Sequence, residues 1–341
     1  MTKLRVLILS DGVPGHVNQA RGLVHWLSKH RELVCTEQQV SLRARPAARL
    51  LLPYALKVRG FGTAVGAAFY RSNGVEGARP DLIVSAGGNT SFLNIALARK
   101  WSVPNIFLGS KRRLHSNDFS AHLTLEPTRE PHNIVMDLVP TGTSLSDQRH
   151  RGWVLRGSLQ VEPRQPLYSL IVGGDGVGFV YDEAAWGHIG KLVGQLSKRD
   201  NCRWLVTTSR RTGYAGEQLL RRALPQPLLA DSVWWSEEPR RVMNSYLGAS
   251  DAVFVTADSM TMVNEAIASQ KPTVVLEPEN AKPSERHQTA LQRFQKAGYC
   301  KVHRLGSGTP SLPTNANNDG HASDLVLSQL EKLIPCLQRP R

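Results

Sequence analysis

The chain has 341 residues, a length that suits two domains better than one core. Its 41% hydrophobic and 21% charged content excludes a disordered chain. The four scattered cysteines, Cys35, Cys202, Cys300 and Cys336, exclude a zinc ribbon or a disulfide framework and suit a reducing compartment. A net charge of +14 calls for an anionic partner; with no nucleic-acid-binding motif in view, that partner is expected to be a phosphorylated ligand or anionic lipid, and not nucleic acid.

Lys3-Leu4-Arg5 leads into Val6–Leu9, an apolar run too short for a signal peptide and suited to a first strand. No stretch approaches the roughly 18–20 apolar residues that span a bilayer, so the expected place is the cytoplasm, with peripheral contact to the inner face of the cytoplasmic membrane. A helix follows near Val17–Lys29, then a strand at Leu82–Val84, a helix over Ser91–Lys100 and a strand at Asn105–Leu108. The pattern restarts with a strand at Tyr168–Val172 and a helix over Glu183–Ser197. Strands at Trp204–Thr207, Val233–Trp235, Val253–Thr256 and Thr273–Leu276 then alternate with helices at Gly216–Ala223, Arg240–Gly248 and around Glu265. Such alternation predicts parallel βαβ units and an α/β fold of two Rossmann-like, doubly wound domains facing across a cleft. The predicted bounds are 1–157 for an N-terminal domain and 166–320 for a C-terminal domain, with Pro163 and Pro166 marking the linker. A last helix in 321–341 is expected to pack back across the interdomain region.

One segment departs from this rhythm. Leu42–Arg71 carries Arg43, Arg45, Arg49, Lys57, Arg59 and Arg71 with no acid, interleaved with Leu50, Leu51, Leu52, Tyr54, Phe61 and Phe69. It reads either as a basic amphipathic surface resting on anionic membrane or as a core-packing helix with solvated cations.

Five strand-end loops carry the chemistry. Asp11-Gly12-Val13-Pro14-Gly15-His16 opens the first helix: its glycines allow a tight turn, Gly15 sits where a helix N-terminus receives an anion, and Asp11 and His16 are candidate bases. Gly87-Gly88-Asn89-Thr90, again between strand and helix, offers backbone approach and hydrogen-bonding groups to an acceptor or sugar, or simply caps a helix. Gly173–Gly178 places four glycines in six residues, with Gly174 the candidate phosphate contact. Arg210 and Arg211 among hydroxyls suit a diphosphate, which gains negative charge as a glycosidic bond breaks. In Asp258-Ser259-Met260-Thr261, the N–H groups of Ser259, Met260 and Thr261 would face a phosphate. Asp258 and Ser259 are also natural N-cap residues, and Glu265 one turn on would meet ribose hydroxyls.

The stretches SDGVPGHVNQARGL, SAGGNT, VTTSRRTG and VTADSMTMVNEA resemble the mitochondrial-fission ELM1-like, ELM1/GtrOC1-type glycosyltransferases, from about residue 5 to about residue 290. That family is in turn similar to GT-B glycosyltransferases of the MurG class. The resemblance implies a metal-independent transferase with no cofactor beyond a nucleotide-diphosphate sugar as co-substrate, and a glycan or lipid-linked acceptor of the cell envelope. By position it implies diphosphate contacts from Arg210 and Arg211, ribose contacts from Glu265, base contacts from Trp235 and Ser236, and a Gly15-His16 loop at the reaction centre. At SAGGNT an arginine frequent in the family is missing. A non-hydrolysing nucleotide-sugar epimerase and a non-catalytic ELM1-type membrane adaptor would share the same pattern.

Overall fold

A computed structural model describes residues 3–58, 68–72, 79–142, 144–159, 161–162, 164–314 and 319–338. The chain forms two compact units, one made of Met1–Gly142 with Gly320–Arg341 and the other of Thr143–Asp319. The division therefore falls at residue 143, where the sequence reading ended the first domain at 157. The C-terminal helix belongs to the first unit.

In the first unit, β1 (Leu4–Ser10) and β2 (Leu33–Leu42) flank α1 (Pro14–Ser28), and α2 (Arg45–Ala55) precedes β3 (Tyr70–Ser72). Then come β4 (Leu82–Ala86), α3 (Ser91–Trp101), β5 (Asn105–Leu108), β6 (Ala121–Thr124) and β7 (Asn133–Val135). The sheet order is β3-β2-β1-β4-β5-β6-β7, parallel except for β3 against β2. Successive side chains of a strand point to opposite faces, so the unbroken apolar run of β1 feeds two cores. Val6 and Ile8 join Leu23, Trp26 and Leu27 of α1, while Leu7 and Leu9 join Leu52 of α2 and Phe92 and Ile95 of α3.

The second unit runs α4 (Leu145–Ser158), β8 (Leu167–Ile171), α5 (Glu183–Asp200), β9 (Arg203–Thr207), α6 (Gly213–Ala223) and β10 (Leu229–Val233). It continues through α7 (Met243–Ala249), β11 (Ala252–Thr256), α8 (Met260–Ala268), β12 (Thr273–Glu277), α9 (Glu285–Lys296) and β13 (Lys301–Arg304). Its sheet is wholly parallel in the order β10-β9-β8-β11-β12-β13, the doubly wound Rossmann order. α4 rests on α7 through Gly152 and Gly248, where a Cβ on either would run into the other helix's backbone.

The last helix, α10 (Asp319–Leu333), returns to the first unit. Val326, Leu327 and Leu330, followed by Ile334 and Leu337, are buried in the core that holds Leu23 and Trp26. At about 1.5–3 kcal/mol per buried large aliphatic side chain, this helix is an integral part of that domain's stability.

Two parallel α/β domains of the Rossmann kind are thus present, as the alternation predicted. The strand expected at Val233–Trp235 ends at Val233, leaving Trp235 in a turn, and the helix expected from Arg240 begins at Met243. Leu42–Arg71 is not one amphipathic surface: it comprises the end of β2, α2 and the start of β3, and its residues 59–67, with Arg59 and Phe61, lie outside the described residues. Within it Leu52, Leu56 and Tyr70 are buried, whereas Leu50, Leu51, Tyr54 and Val58 form an outward apolar row, each more than half exposed.

Candidate functional site

In an open α/β sheet the strand order reverses at one point, and the loops on the carboxyl ends of the two strands there diverge to leave a ligand crevice. In the first unit that point lies between β1 and β4, which lead into the Asp11–His16 and Gly87–Thr90 loops. In the second it lies between β8 and β11, which lead into Gly173–Gly178 and Ala257–Met260, with the loop after β9 beside them.

In the first unit Asp11 and His16 meet. Nδ1 of His16 lies 3.1 and 3.0 Å from the two Asp11 carboxylate oxygens. The Asp11 side chain is 5% exposed and the His16 side chain 36%, so the carboxylate is sheltered behind an accessible ring. Donation of Nδ1–H to the carboxylate leaves the lone pair of the neutral imidazole on Nε2, the arrangement of an oriented base. The Val13 N–H also donates to Asp11, at 3.2 Å, pinning the turn. Gly87 has φ +84°, and a Cβ there would enter the His16 ring, so glycine is required both by the backbone and by the base.

Asn89 joins this group. Its Nδ2 donates to Asp11 at 3.5 Å, its Oδ1 accepts from Arg49 at 3.1 Å, and its carbonyl accepts from the Tyr70 hydroxyl at 2.5 Å. Burial, with the Asp11 charge nearby, holds that phenol well above its ordinary range and so neutral. Thr90, expected as an acceptor or sugar contact, is fully buried and donates to the Ala86 and Gly87 carbonyls at 3.1 and 2.9 Å; it ties the turn and faces no ligand. Gly88 lies under the Arg112 guanidinium, where a Cβ would collide with Nε. Gly15 sits in the first turn of α1, whose N-cap Val13 makes no side-chain cap.

In the second unit, three strand ends interlock. The Asp258 side chain has no exposure, and its Oδ2 accepts from Arg211 at 2.5 Å. Asp258 is therefore the counter-ion of Arg211 and not the N-cap of α8, whose N-cap Ser259 also makes no side-chain bond. Burial raises the Asp258 carboxyl above its ordinary value, while Thr256 and Arg211 pull it down, and its Oδ1 lacks a hydrogen-bond partner among the described residues. The glycine loop is fitted around this pair. A Cβ on Gly173 would strike the Asp258 carboxylate, and one on Gly174, at φ +118°, would come within 2.5 Å of Arg211 backbone. Arg210 is exposed and Arg211 is 38% exposed at its side chain, both on the loop that Ser209 and Thr212 fasten to the Gly173 carbonyl. With neither Asp258 nor Ser259 capping it, the first turn of α8 at Met260 and Thr261 presents backbone N–H groups free of side-chain caps, and Glu265 stands half-buried in the second turn.

Trp235 and Ser236, expected at the base, are held from within. The Trp235 N–H donates to Thr208 Oγ1 at 2.8 Å, and both the N–H and hydroxyl of Ser236 donate to Glu217. Those N–H groups are spent within the protein, although both residues are exposed, Trp235 at 43%. Glu217 went unremarked in the sequence; the available signal was an acid on the apolar stripe that also carries Leu220 and Leu224. Arg112 was missed likewise, and Arg49 was read only as part of a basic surface. Among the described residues no three His, Cys, Asp or Glu side chains converge as a metal site would require.

A family model described as "Mitochondrial fission ELM1" matches residues 14–319, which takes in His16 and the four later loops, while Asp11 lies just before the match. The chain belongs to the mitochondrial fission ELM1 family. No curated protein matches this ELM1-family sequence. Among solved structures, the UDP-GlcNAc 2-epimerase of Methanocaldococcus jannaschii is similar with a TM-score of 0.54 at 10% identity, over 97% of this chain and 100% of that one. A Listeria monocytogenes protein assigned as a UDP-N-acetylglucosamine 2-epimerase gives 0.53 at 12% identity, over 99% and 92%. The E. coli ADP-heptose heptosyltransferase II gives 0.47 at 11%, over 96% and 99%. At such identities the likeness is one of fold: this ELM1-family protein shares the two-domain, Rossmann-like architecture of GT-B proteins.

Proposed function

We propose that this chain is a metal-independent glycosyltransferase that moves a sugar from a nucleotide-diphosphate donor to a glycan or lipid-linked acceptor of the cell envelope. The observation that carries the proposal is the sheltered Asp11 behind an accessible His16 at the switch point of the first unit. In this reading His16 Nε2 takes the proton of an acceptor hydroxyl while that oxygen bonds to the anomeric carbon. The bond from that carbon to the diphosphate breaks and its electron pair stays on the departing oxygen. Asp11 stabilises the imidazolium that results. In the second unit Arg210, Arg211 and the uncapped turn of α8 meet the growing charge, and Glu265 takes the ribose. One imidazole with one carboxylate behind it moves a single proton, as transfer to a hydroxyl requires; epimerisation needs a proton removed from one face of a carbon and returned to the other.

The acceptor in this proposal is presented at an anionic membrane. The outward row of Leu50, Leu51, Tyr54 and Val58 is flanked by exposed Arg43, Arg45 and Lys57, a pairing of apolar insertion with cation contact that suits such a surface.

The test is thermal stability against a panel of nucleoside diphosphates and nucleotide sugars, followed by transfer assays on envelope extracts. One nucleotide should raise the Tm, by about 2.7 kcal/mol of stabilisation at a hundredfold excess over Kd. His16→Gln should keep that shift and lose transfer. Absence of any nucleotide effect would overturn the proposal in favour of an adaptor, and donor turnover without acceptor would overturn it in favour of an epimerase.

A further inference from the structure

Two cations in the first unit stand beside the Asp11–His16 pair with no anion to answer them among the described residues. Arg49 projects from α2, gives one N–H to the neutral Asn89 Oδ1 at 3.1 Å, and buries its Nε with no hydrogen-bond partner among the described residues. Arg112 follows β5, lies over Gly88, and has neither a carboxylate nor a hydrogen-bond partner among the described residues. Its backbone is held at φ 57°, a left-handed conformation that costs a non-glycine residue and that proteins retain where a side chain must be aimed. Arg49 bonds Asn89 and Arg112 lies over Gly88, adjacent residues of one loop, and burial, then the Arg49 charge, hold the Arg112 guanidinium below its ordinary value.

Three other arginines of this unit are paired with carboxylates, Arg5 with Asp81, Arg21 with Glu37 and Arg99 with Asp118, while Arg43, Arg45 and Arg113 stand in solvent away from the base. The carboxylate of the cluster among the described residues, Asp11, has both oxygens engaged by His16 and accepts further from Val13 and Asn89. Two guanidinium forks, uncompensated and next to an oriented base, form a receptor for a tetrahedral oxyanion, because each fork can give two parallel N–H bonds to phosphate oxygens.

We infer that Arg49 and Arg112 bind a phosphate group of the acceptor substrate, placing a phosphorylated molecule beside His16. The assignment of that substrate as an acceptor rests on the transferase reading; the phosphate site does not. Arg49 and Arg112 are specificity determinants in this scheme, and His16 is the group they serve.

The experiment follows the His16 ring nitrogens by long-range 1H–15N NMR while inorganic pyrophosphate is titrated into the full chain, with acetate at equal concentration as a second probe. Pyrophosphate should shift the His16 signals saturably. Arg112→Gly should weaken that response at least tenfold, and so should Arg49→Gln, whereas Arg113→Gly should not. Arg112→Gly relieves a strained backbone and is expected to fold, so it keeps the test decisive if Arg49→Gln is unstable. Unmoved His16 signals, or an undiminished response in Arg112→Gly, would overturn the inference. An equal response to acetate would overturn phosphate in favour of a carboxylate ligand. A chain that binds no nucleotide yet shows the Arg112-dependent response would sink the transferase reading while leaving this site in place.

Discussion

Replacing Arg112 by glycine should stabilise the protein, against the usual direction for exposed arginine-to-glycine changes. At φ 57° Arg112 occupies the left-handed region, which costs an L-residue roughly 1–2 kcal/mol relative to glycine. Glycine removes that cost and adds back about 0.5–1 kcal/mol through the greater freedom of its unfolded chain. Loss of the repulsion with Arg49 contributes a few tenths more, since one cation is solvent-exposed. The net is a gain of roughly 0.5–1 kcal/mol, or about 2–4 °C in Tm per kcal/mol for a domain of this size. The neighbouring Arg113 is exposed without positive φ, so Arg113→Gly lacks the first term and should lose about 0.5–1 kcal/mol. Urea denaturation of the two variants beside the parent isolates the strain as their difference, about 1–2 kcal/mol. Equal destabilisation by both would show that Arg112 carries no strain, and with it would go the idea that its backbone is bent to aim the guanidinium.

Three further outcomes follow from the buried polar groups. Asp258→Asn keeps the shape and an acceptor for Arg211, whose exposed fraction lets its charge rehydrate, and it removes a charge that burial disfavours; stability should change by no more than about 1 kcal/mol. A loss beyond about 3 kcal/mol in denaturant would show the carboxylate to be a net stabiliser. Glu217→Gln turns an amide N–H₂ toward the Ser236 donors and should cost about 1–3 kcal/mol and blue-shift or quench Trp235 fluorescence; an unchanged midpoint would refute the role given to Glu217. Burial holds His122, His287 and His303 below their ordinary pKa. The unfolded chain therefore binds more protons than the native one below about pH 6.5, and stability should fall as pH drops from 7 toward 5.5. A flat or rising profile across that range would contradict the burial of these rings in neutral form.

What the sequence made legible was set by local pattern. Val6–Leu9, Tyr168–Val172 and Val253–Thr256 are buried, nearly continuous apolar runs, with only Ser169 and Thr256 polar, because helices cover both faces of a parallel sheet. β2 was missed since LVCTEQQVSL leaves most of its side chains in solvent, and β6 and β7 span only four and three residues. Asp11 with His16, five residues apart across one turn, was readable; Arg49 with Asn89, 40 apart, was not. Asp258 shows the limit from the other side. Its residue type and place fit an N-cap, but its partner lies 47 residues back on another strand end, and no local rule reaches that far. Trp235 and Ser236, placed at the base by the resemblance, have their donors claimed by Thr208 and Glu217, partners 27 and 19 residues back.

The docking of α10 into the first unit has a consequence for how the protein is made. Thr143–Asp319, the whole second unit, is synthesised between the two parts of the first. At about 5–20 residues per second, the nascent first domain waits roughly ten to forty seconds on the ribosome before Val326, Leu327, Leu330, Ile334 and Leu337 arrive to close its core. During that interval the core around Leu23, Trp26 and Leu27 lacks those five side chains and leaves apolar surface that a holding chaperone would cover. The second unit, contiguous in sequence, matures first although it is begun later.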